Sequence, residues 1–241
     1  MEIIPIKTRT VQPPKDDIYD LFDDLELREK DVLLITSKIL AIYQGRTVPM
    51  SEIKDKDDLI KKEADLFIPR EEVPGEHVIL TVKNNTLIPS AGIDESNSDG
   101  HYVLWPEKPE EEAKKICEYL KEKNKIKELG VIITDSHTTP MRWGVMGIST
   151  GFFGIKPLKD YRGAKDIFGR EIKMTQSNIV DSLAVIGVLA MGEGDEKKPM
   201  VIVRDADNVE FTDKEMYEET LIPTEEDIYY PLLRKFMDKK N

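Results

Sequence analysis

Three short apolar runs decide what this chain can become: Val32 to Thr36, Val131 to Thr134 and Met200 to Val203. Each is rich in β-branched residues and ends in polar groups, the pattern of a buried strand. Pro199 starts the third run, and His77 to Val82 reads as a fourth strand. Met1 to Arg9 reads as another, with polar interruptions. Between them lie five segments with helical signatures: 16–25, 52–66, 109–123, 177–191 and 225–237. The last carries Ile228, Leu232 and Phe236 on one face, and Pro109 with the acids behind it suits a first helical turn. Alternation of strands and helices predicts a mixed α/β or α+β fold. The 241 residues suit a single domain over 1–241, with room for two merged subdomains.

Composition narrows the partners. Charged residues make up 34% and the net charge is -12, so general attraction to nucleic acid is excluded. An anionic substrate would need metal ions or a local basic pocket to reverse that field. No apolar stretch approaches the ~20 residues of a membrane span, and none resembles a secretory signal. The single cysteine, Cys117, falls on the helical stripe Ala113, Ile116, Cys117, Leu120, which reads as a small buried residue. It allows no intramolecular disulfide, and a reducing cytoplasm is the expected compartment.

Three polar clusters sit where elements are expected to end. They are 91–97 with Asp94, 133–140 with Asp135 and Ser136, and 191–196 with Glu193. Any one of these acids would pass for an ordinary turn residue. Together they offer a hard-oxygen donor set of the kind that suits Mg²⁺ or Mn²⁺. His137 has no metal-binding spacing with His77 or His101 and reads as a loop residue at the pocket. Residues 142–154 hold frequent glycines, which signal bulges or close backbone approach. Around and after them runs a basic stretch with Arg142, Lys156, Lys159, Arg162, Lys165, Arg170 and Lys173. Its guanidinium forks could recognise carboxylate or phosphate, or salt-bridge to surface acids. Near the start, Ser37 and Lys38 follow a strand and open a helix-like run, a turn able to grip phosphate.

These blocks, in this order, resemble the coenzyme F420:L-glutamate ligase family, the F420-0 γ-glutamyl ligases. The resemblance rests on Thr36-Ser37-Lys38 with Gly45-Arg46, Ala91-Gly92-Ile93-Asp94 with Ser96-Asn97, and Ile132-Ile133-Thr134-Asp135. It continues in Lys159-Asp160-Tyr161-Arg162-Gly163, Asp166 with Gly169-Arg170-Glu171, and Met191-Gly192-Glu193-Gly194. It implies a GTP-dependent amide ligase with two divalent cations, and an α+β fold assembled as an intertwined homodimer. Mapped onto this chain, Asp94 and Asp135 would hold one metal, and Ser136 and Glu193 the second. Ser37, Lys38, Asn97 and the 191–198 loop, including Met191, Gly192, Gly194, Asp195 and Lys198, fall where the family contacts nucleotide. To Arg142, Arg162 and Arg170 we assign the positioning of the two carboxylate substrates.

The chain also departs from the family pattern. A further lysine and an acid usually follow Ser-Lys, and those places read Ile42 and Gln44 here. If Ile42 replaces a phosphate-gripping lysine, Ile42→Lys should tighten nucleotide binding, unless Arg46 or Lys198 already fills the place. The family's apolar N-terminal loop reads Arg9-Thr10-Val11-Gln12-Pro13-Pro14, and the turn after the metal aspartate reads His137-Thr138-Thr139-Pro140. Such changes fit a divergent branch with another acceptor, such as a folate. A metal-dependent phosphohydrolase or a non-catalytic nucleotide-binding protein would use the same acids.

Overall fold

The structure is a computed structural model that describes residues 1–237. In chain order its first half holds β1 (Glu2–Ile6), β2 (Asp31–Thr36), α1 (Ser37–Tyr43), β3 (Thr47–Pro49) and α2 (Lys56–Glu63). Next come β4 (Leu66–Ile68), β5 (Leu80–Lys83), β6 (Thr86–Pro89), β7 (His101–Val103) and α3 (Pro109–Asn124). The second half holds β8 (Leu129–Thr138), β9 (Val145–Phe153), β10 (Leu158–Asp160) and β11 (Gln176–Asn178). It ends with α4 (Ile179–Met191), β12 (Met200–Arg204) and α5 (Tyr230–Met237).

The three apolar runs become neighbours in one five-stranded sheet of order β1-β12-β2-β8-β9. Only β2 and β8 run parallel; every other pairing in it is antiparallel. The runs are apolar throughout because both faces are covered. Leu33, Ile35, Val131, Ile133, Met200 and Ile202 join the core beneath α1 and α3. Their alternate neighbours Val32, Leu34, Ile132, Val201 and Val203 meet α4 through Val180, Leu183 and Met191. Full burial of each such side chain contributes about 1.5–3 kcal/mol. Leu59, Ile60, Ile79, Ala91, Ile93 and Leu104 form a smaller core that steadies α2 and the loop leading to Asp94.

The glycines of 142–154 do mark close approach, but by helices of the same chain. A Cβ at Gly147 would stand 2.2 Å from the Ala184 carbonyl oxygen on α4, and one at Gly151 2.5 Å from the Glu110 nitrogen on α3. These two contacts clamp β9 between the helical layers.

Several expected elements are shorter. Residues 16–25 yield only a 3-10 turn, Tyr19–Phe22. Asp16 is held by Arg9 at 2.6 Å and accepts the Gln12 N–H, while Asp17 accepts the Tyr19 N–H, so side chains compete with a helix for the backbone. The expected 52–66 helix starts only after Asp55 caps it, at Lys56, and Leu66 already belongs to β4. Asn178 caps α4 by accepting the Asp181 N–H, so that helix begins at Ile179. The strand expected at 77–82 starts at Leu80. At 225–237 the helix begins at Tyr230; Phe236 is buried, but Ile228 and Leu232 stay exposed instead of sharing its face. Among the described residues no helix is long and apolar enough to cross a membrane.

Candidate active site

The parallel pair β2–β8 places two chemical segments side by side. β2 ends at Thr36 and runs directly into α1 with Ser37 and Lys38, while β8 continues past Thr134 into Asp135 and Ser136. Ser37 Oγ donates to Asp135 Oδ2 at 2.8 Å, joining residues 98 positions apart. The Ser136 N–H donates to Asp135 Oδ1 at 2.7 Å. On the next side chain along the strand, Ser136 Oγ lies 3.5 Å from Glu193 Oε2.

Glu193 stands on the loop that leaves α4. Gly192 caps that helix at φ +81, a left-handed conformation, and a Cβ there would meet the Glu196 carboxylate at 2.4 Å. Glu196 in turn accepts the Gly194 N–H at 2.8 Å. Asn97 donates through Nδ2 to the Gly194 carbonyl at 2.8 Å, tying the 94–97 loop to this one. In that loop Asp94 Oδ1 accepts both the Ser96 N–H (2.7 Å) and the Ser96 hydroxyl (2.8 Å). Asp94 Oδ2 lies 2.7 Å from Lys38 Nζ.

All three acids, with Ser37, Lys38, Asn97, Ser136 and the 191–199 loop, line one pocket of about 260 Å³. The polar clusters therefore converge as the sequence implied. Thr8 to Val11 also form part of its wall, with Arg9 turned away onto Asp16. Apolar side chains such as Ile39, Leu104 and Val188 complete it, leaving a slot half polar and half apolar.

Charge in this pocket is unbalanced. Burial pushes the Asp135 carboxyl up to about 6, against the bonds from Ser37 and Ser136, and neighbouring Asp94 adds to the rise. Burial likewise raises Glu193. Burial acts the same way on Asp94, but the Lys38 charge and the bonds from Lys38 and Ser96 outweigh it, leaving that carboxyl below its ordinary value. Two strained acids, a third acid and the Ser136 hydroxyl form a hard-oxygen donor set that a divalent cation would relieve. Among the described residues no three acid, histidine or cysteine groups close into a metal cage. A cation here would therefore complete its shell with water or substrate oxygens.

The sequence-derived residues separate cleanly. Asp94, Asp135, Ser136, Glu193, Ser37, Lys38, Asn97, Met191, Gly192, Gly194, Asp195 and Lys198 all line the pocket. Arg142, Arg162 and Arg170 do not; all three are exposed, and Arg162 is held by its own Asp160 at 2.6 Å. His137 is half-buried on β8 and does not line the pocket. Ser96, which grips both Asp94 and Lys38, was given no role by sequence reasoning. The Asp-x-Ser spacing that builds an Asx turn was its available signal.

A family model described as F420-0:Gamma-glutamyl ligase matches residues 5–205. The chain belongs to that family. Relatives named coenzyme F420:L-glutamate ligase include those of Methanopyrus kandleri, 32% identical over 222 residues, and Methanocaldococcus jannaschii, 34% identical over 225. The first alignment covers 85% of this chain and 86% of the relative, the second 88% and 89%. The relative from Methanosarcina mazei is 32% identical over 203 residues, covering 77% of this chain and 78% of its own length.

Within this ligase family member the two departures near α1 have structural explanations. Ile42 is 2% exposed and packed in the main core at the pocket floor, so it is not an open phosphate contact. Gln44 accepts the Glu107 N–H and donates to the Glu107 carbonyl, both at 2.8 Å, away from the pocket. Arg46 is paired with Glu63 and Glu107, which removes it as a substitute cation. Lys198 remains in the pocket wall. The expectation that Ile42→Lys tightens nucleotide binding is therefore reversed. That substitution buries an unpaired ammonium and should cost roughly 3–5 kcal/mol of stability by chemical denaturation. A stably folded Ile42→Lys protein with tighter affinity for a non-hydrolysable GTP analogue would contradict it.

Proposed function

We propose that this ligase family member joins L-glutamate to the carboxylate of coenzyme F420-0 or a close relative, with GTP as the driving nucleotide. The observation that carries the reading is the convergence of Asp94, Asp135, Ser136 and Glu193 with Ser37, Lys38 and the 191–198 loop in one pocket. Asp94 and Asp135 would hold one Mg²⁺ or Mn²⁺, and Ser136 with Glu193 a second. Bound there, the cations would neutralise polyphosphate charge.

The chemistry needs an activated carboxylate. An acceptor oxygen attacks the γ-phosphorus, the bond to the bridging oxygen breaks, and nucleoside diphosphate leaves. The glutamate amine then attacks the acyl carbon, expels phosphate and gives up a proton. The protein's part is alignment and exclusion of water. Ser37 and the Ser136 N–H fix the Asp135 carboxylate, Asn97 fixes the position of the 191–198 loop, and the apolar wall excludes competing water.

The finer partners follow from surfaces the single chain leaves open. Met141 (98% exposed) and Trp143 (104%) project from the arm formed by the β8–β9 hairpin, Ile167 (92%) and Phe168 (89%) from the arm formed by the β10–β11 hairpin, and Leu189 (83%) from α4. So much apolar area on the arms fits a homodimer, as does the arms' basic charge on an acidic body. In that assembly the guanidinium groups of Arg142 and Arg170 would be supplied to an acceptor carboxylate across the interface; Arg162 would first have to leave Asp160. Light scattering at micromolar concentration should give twice the 27.6 kDa chain mass, and a monomer mass would overturn the dimer.

Glutamate-dependent GDP release is the deciding assay for the reaction. It should require Mg²⁺ or Mn²⁺ and vanish with chelator. GDP release unaffected by glutamate would mark a phosphohydrolase instead, and turnover in metal-free buffer would remove the metal reading. A parallel screen with a folate acceptor tests the divergent branch.

A further inference from the structure

Lys38 is committed to the 94–96 loop in a way that its expected role does not allow. An ammonium has three protons to donate. Its acceptors here are Asp94 Oδ2 at 2.7 Å, the Ser96 carbonyl at 2.9 Å and the Ser96 hydroxyl at 3.1 Å. All three belong to one short loop, so none of the donors is left for a phosphate. Asp94 is equally committed, with Oδ1 accepting twice from Ser96 and Oδ2 facing the ammonium. A dication in contact with Oδ2 would stand almost against that ammonium, and two cations so close repel strongly in a part-buried site. Lys38 and a divalent cation therefore compete for the same oxygen. The four-carbon lysine stem can swing the charge away without disturbing α1.

We infer that Lys38 is a resident counter-ion for Asp94, exchanged for a divalent cation when the site loads, and released by that exchange to meet the polyphosphate. The inference rests on Asp94 being a cation ligand. It goes further in making Lys38 an antagonist of metal in the protein alone and a partner of phosphate in the loaded site. Cation and polyphosphate then favour each other's binding, because each removes the obstacle to the other. Lys38 in this account is a positioning residue whose first partner is the protein itself.

The experiment measures Mn²⁺ binding to the full chain without nucleotide, reading free Mn²⁺ by electron paramagnetic resonance. Wild type is compared with Lys38→Met, Lys38→Gln, Asp94→Asn and the Lys38→Met/Asp94→Asn double variant, each checked for folding by circular dichroism. Both Lys38 variants should bind Mn²⁺ about tenfold more tightly than wild type. The gain should disappear in the double variant. Lys38→Gln can still donate to Ser96, so it guards against loss of the loop rather than loss of the charge. If Asp94→Asn weakens Mn²⁺ binding while the Lys38 variants equal wild type or bind less, the exchange is refuted and the metal reading stands. If no variant, including Lys38→Met, shows Asp94-dependent Mn²⁺ binding, both fall together.

Discussion

Asp135→Asn should abolish glutamate ligation, lowering kcat by roughly a thousandfold or more, while leaving the protein folded and more stable at neutral pH. The two halves of this expectation share one cause. The Asp135 carboxyl is pushed from 3.8 to about 6 by burial, so its ionised form is costly in the folded chain. Between pH about 4 and about 6 the folded state binds the extra proton, so stability falls as pH rises through that window and stays lowered above it. At neutral pH that cost is on the order of a few kcal/mol. An amide removes that cost and keeps the geometry. Its oxygen can accept the Ser136 N–H, and its NH₂ can donate to Ser37 Oγ once that hydroxyl turns. What it cannot supply is the negative charge that a cation needs. Urea denaturation of chelator-treated protein against pH, beside steady-state ligation, reads both effects. Near-normal turnover by the variant would make the Asp135 cluster structural, and unchanged stability would remove the electrostatic argument.

Arg204→Met should be among the most damaging changes away from the pocket. Asp31 is fully buried at the start of β2, and Arg204 at the end of β12 reaches it with Nε at 2.9 Å and Nη2 at 2.7 Å. The Arg28 N–H adds a bond of 2.8 Å to the same carboxylate. Removing the guanidinium leaves a carboxylate without its charge partner, at a loss of about 3–5 kcal/mol. For a chain of this size that lowers Tm by roughly 6–20 °C. The double variant Asp31→Asn/Arg204→Met should recover part of the loss, because no unpaired charge remains. A single variant that melts with wild type would show that solvent already reaches Asp31.

What the sequence made legible follows from how many environments each side chain serves. Val32 to Ile35 and Val131 to Ile133 face helices on both sides, so they are apolar without interruption and unmistakable. β8 runs four residues beyond its apolar part, because Asp135 to Thr138 still pair with β9. That extension was hidden, since its residues are polar and look like a loop, although only Asp135 and Ser136 of the four line the pocket. The acids of the pocket were legible through their blocks, and the twelve residues assigned to metal or nucleotide from the sequence all line it. Ile42 was misjudged for a different reason: its place one turn after Lys38 suggested an open phosphate contact, whereas the side chain is buried in the core beneath the pocket. The arginines of the arms show the opposite limit. Their charge was plain in the sequence, but where an exposed arm reaches is not written in local pattern.

The order of the main sheet has a consequence for synthesis on the ribosome. β12 lies between β1 and β2, so the first two strands to emerge have no bond to each other until the residues near 200 follow them. The pocket obeys the same schedule, because Asn97 waits for Gly194 and Ser136 for Glu193. Such late closure of distant contacts slows folding and leaves strand edges open meanwhile. A chain that stops before Glu193 is thus unable to assemble the site.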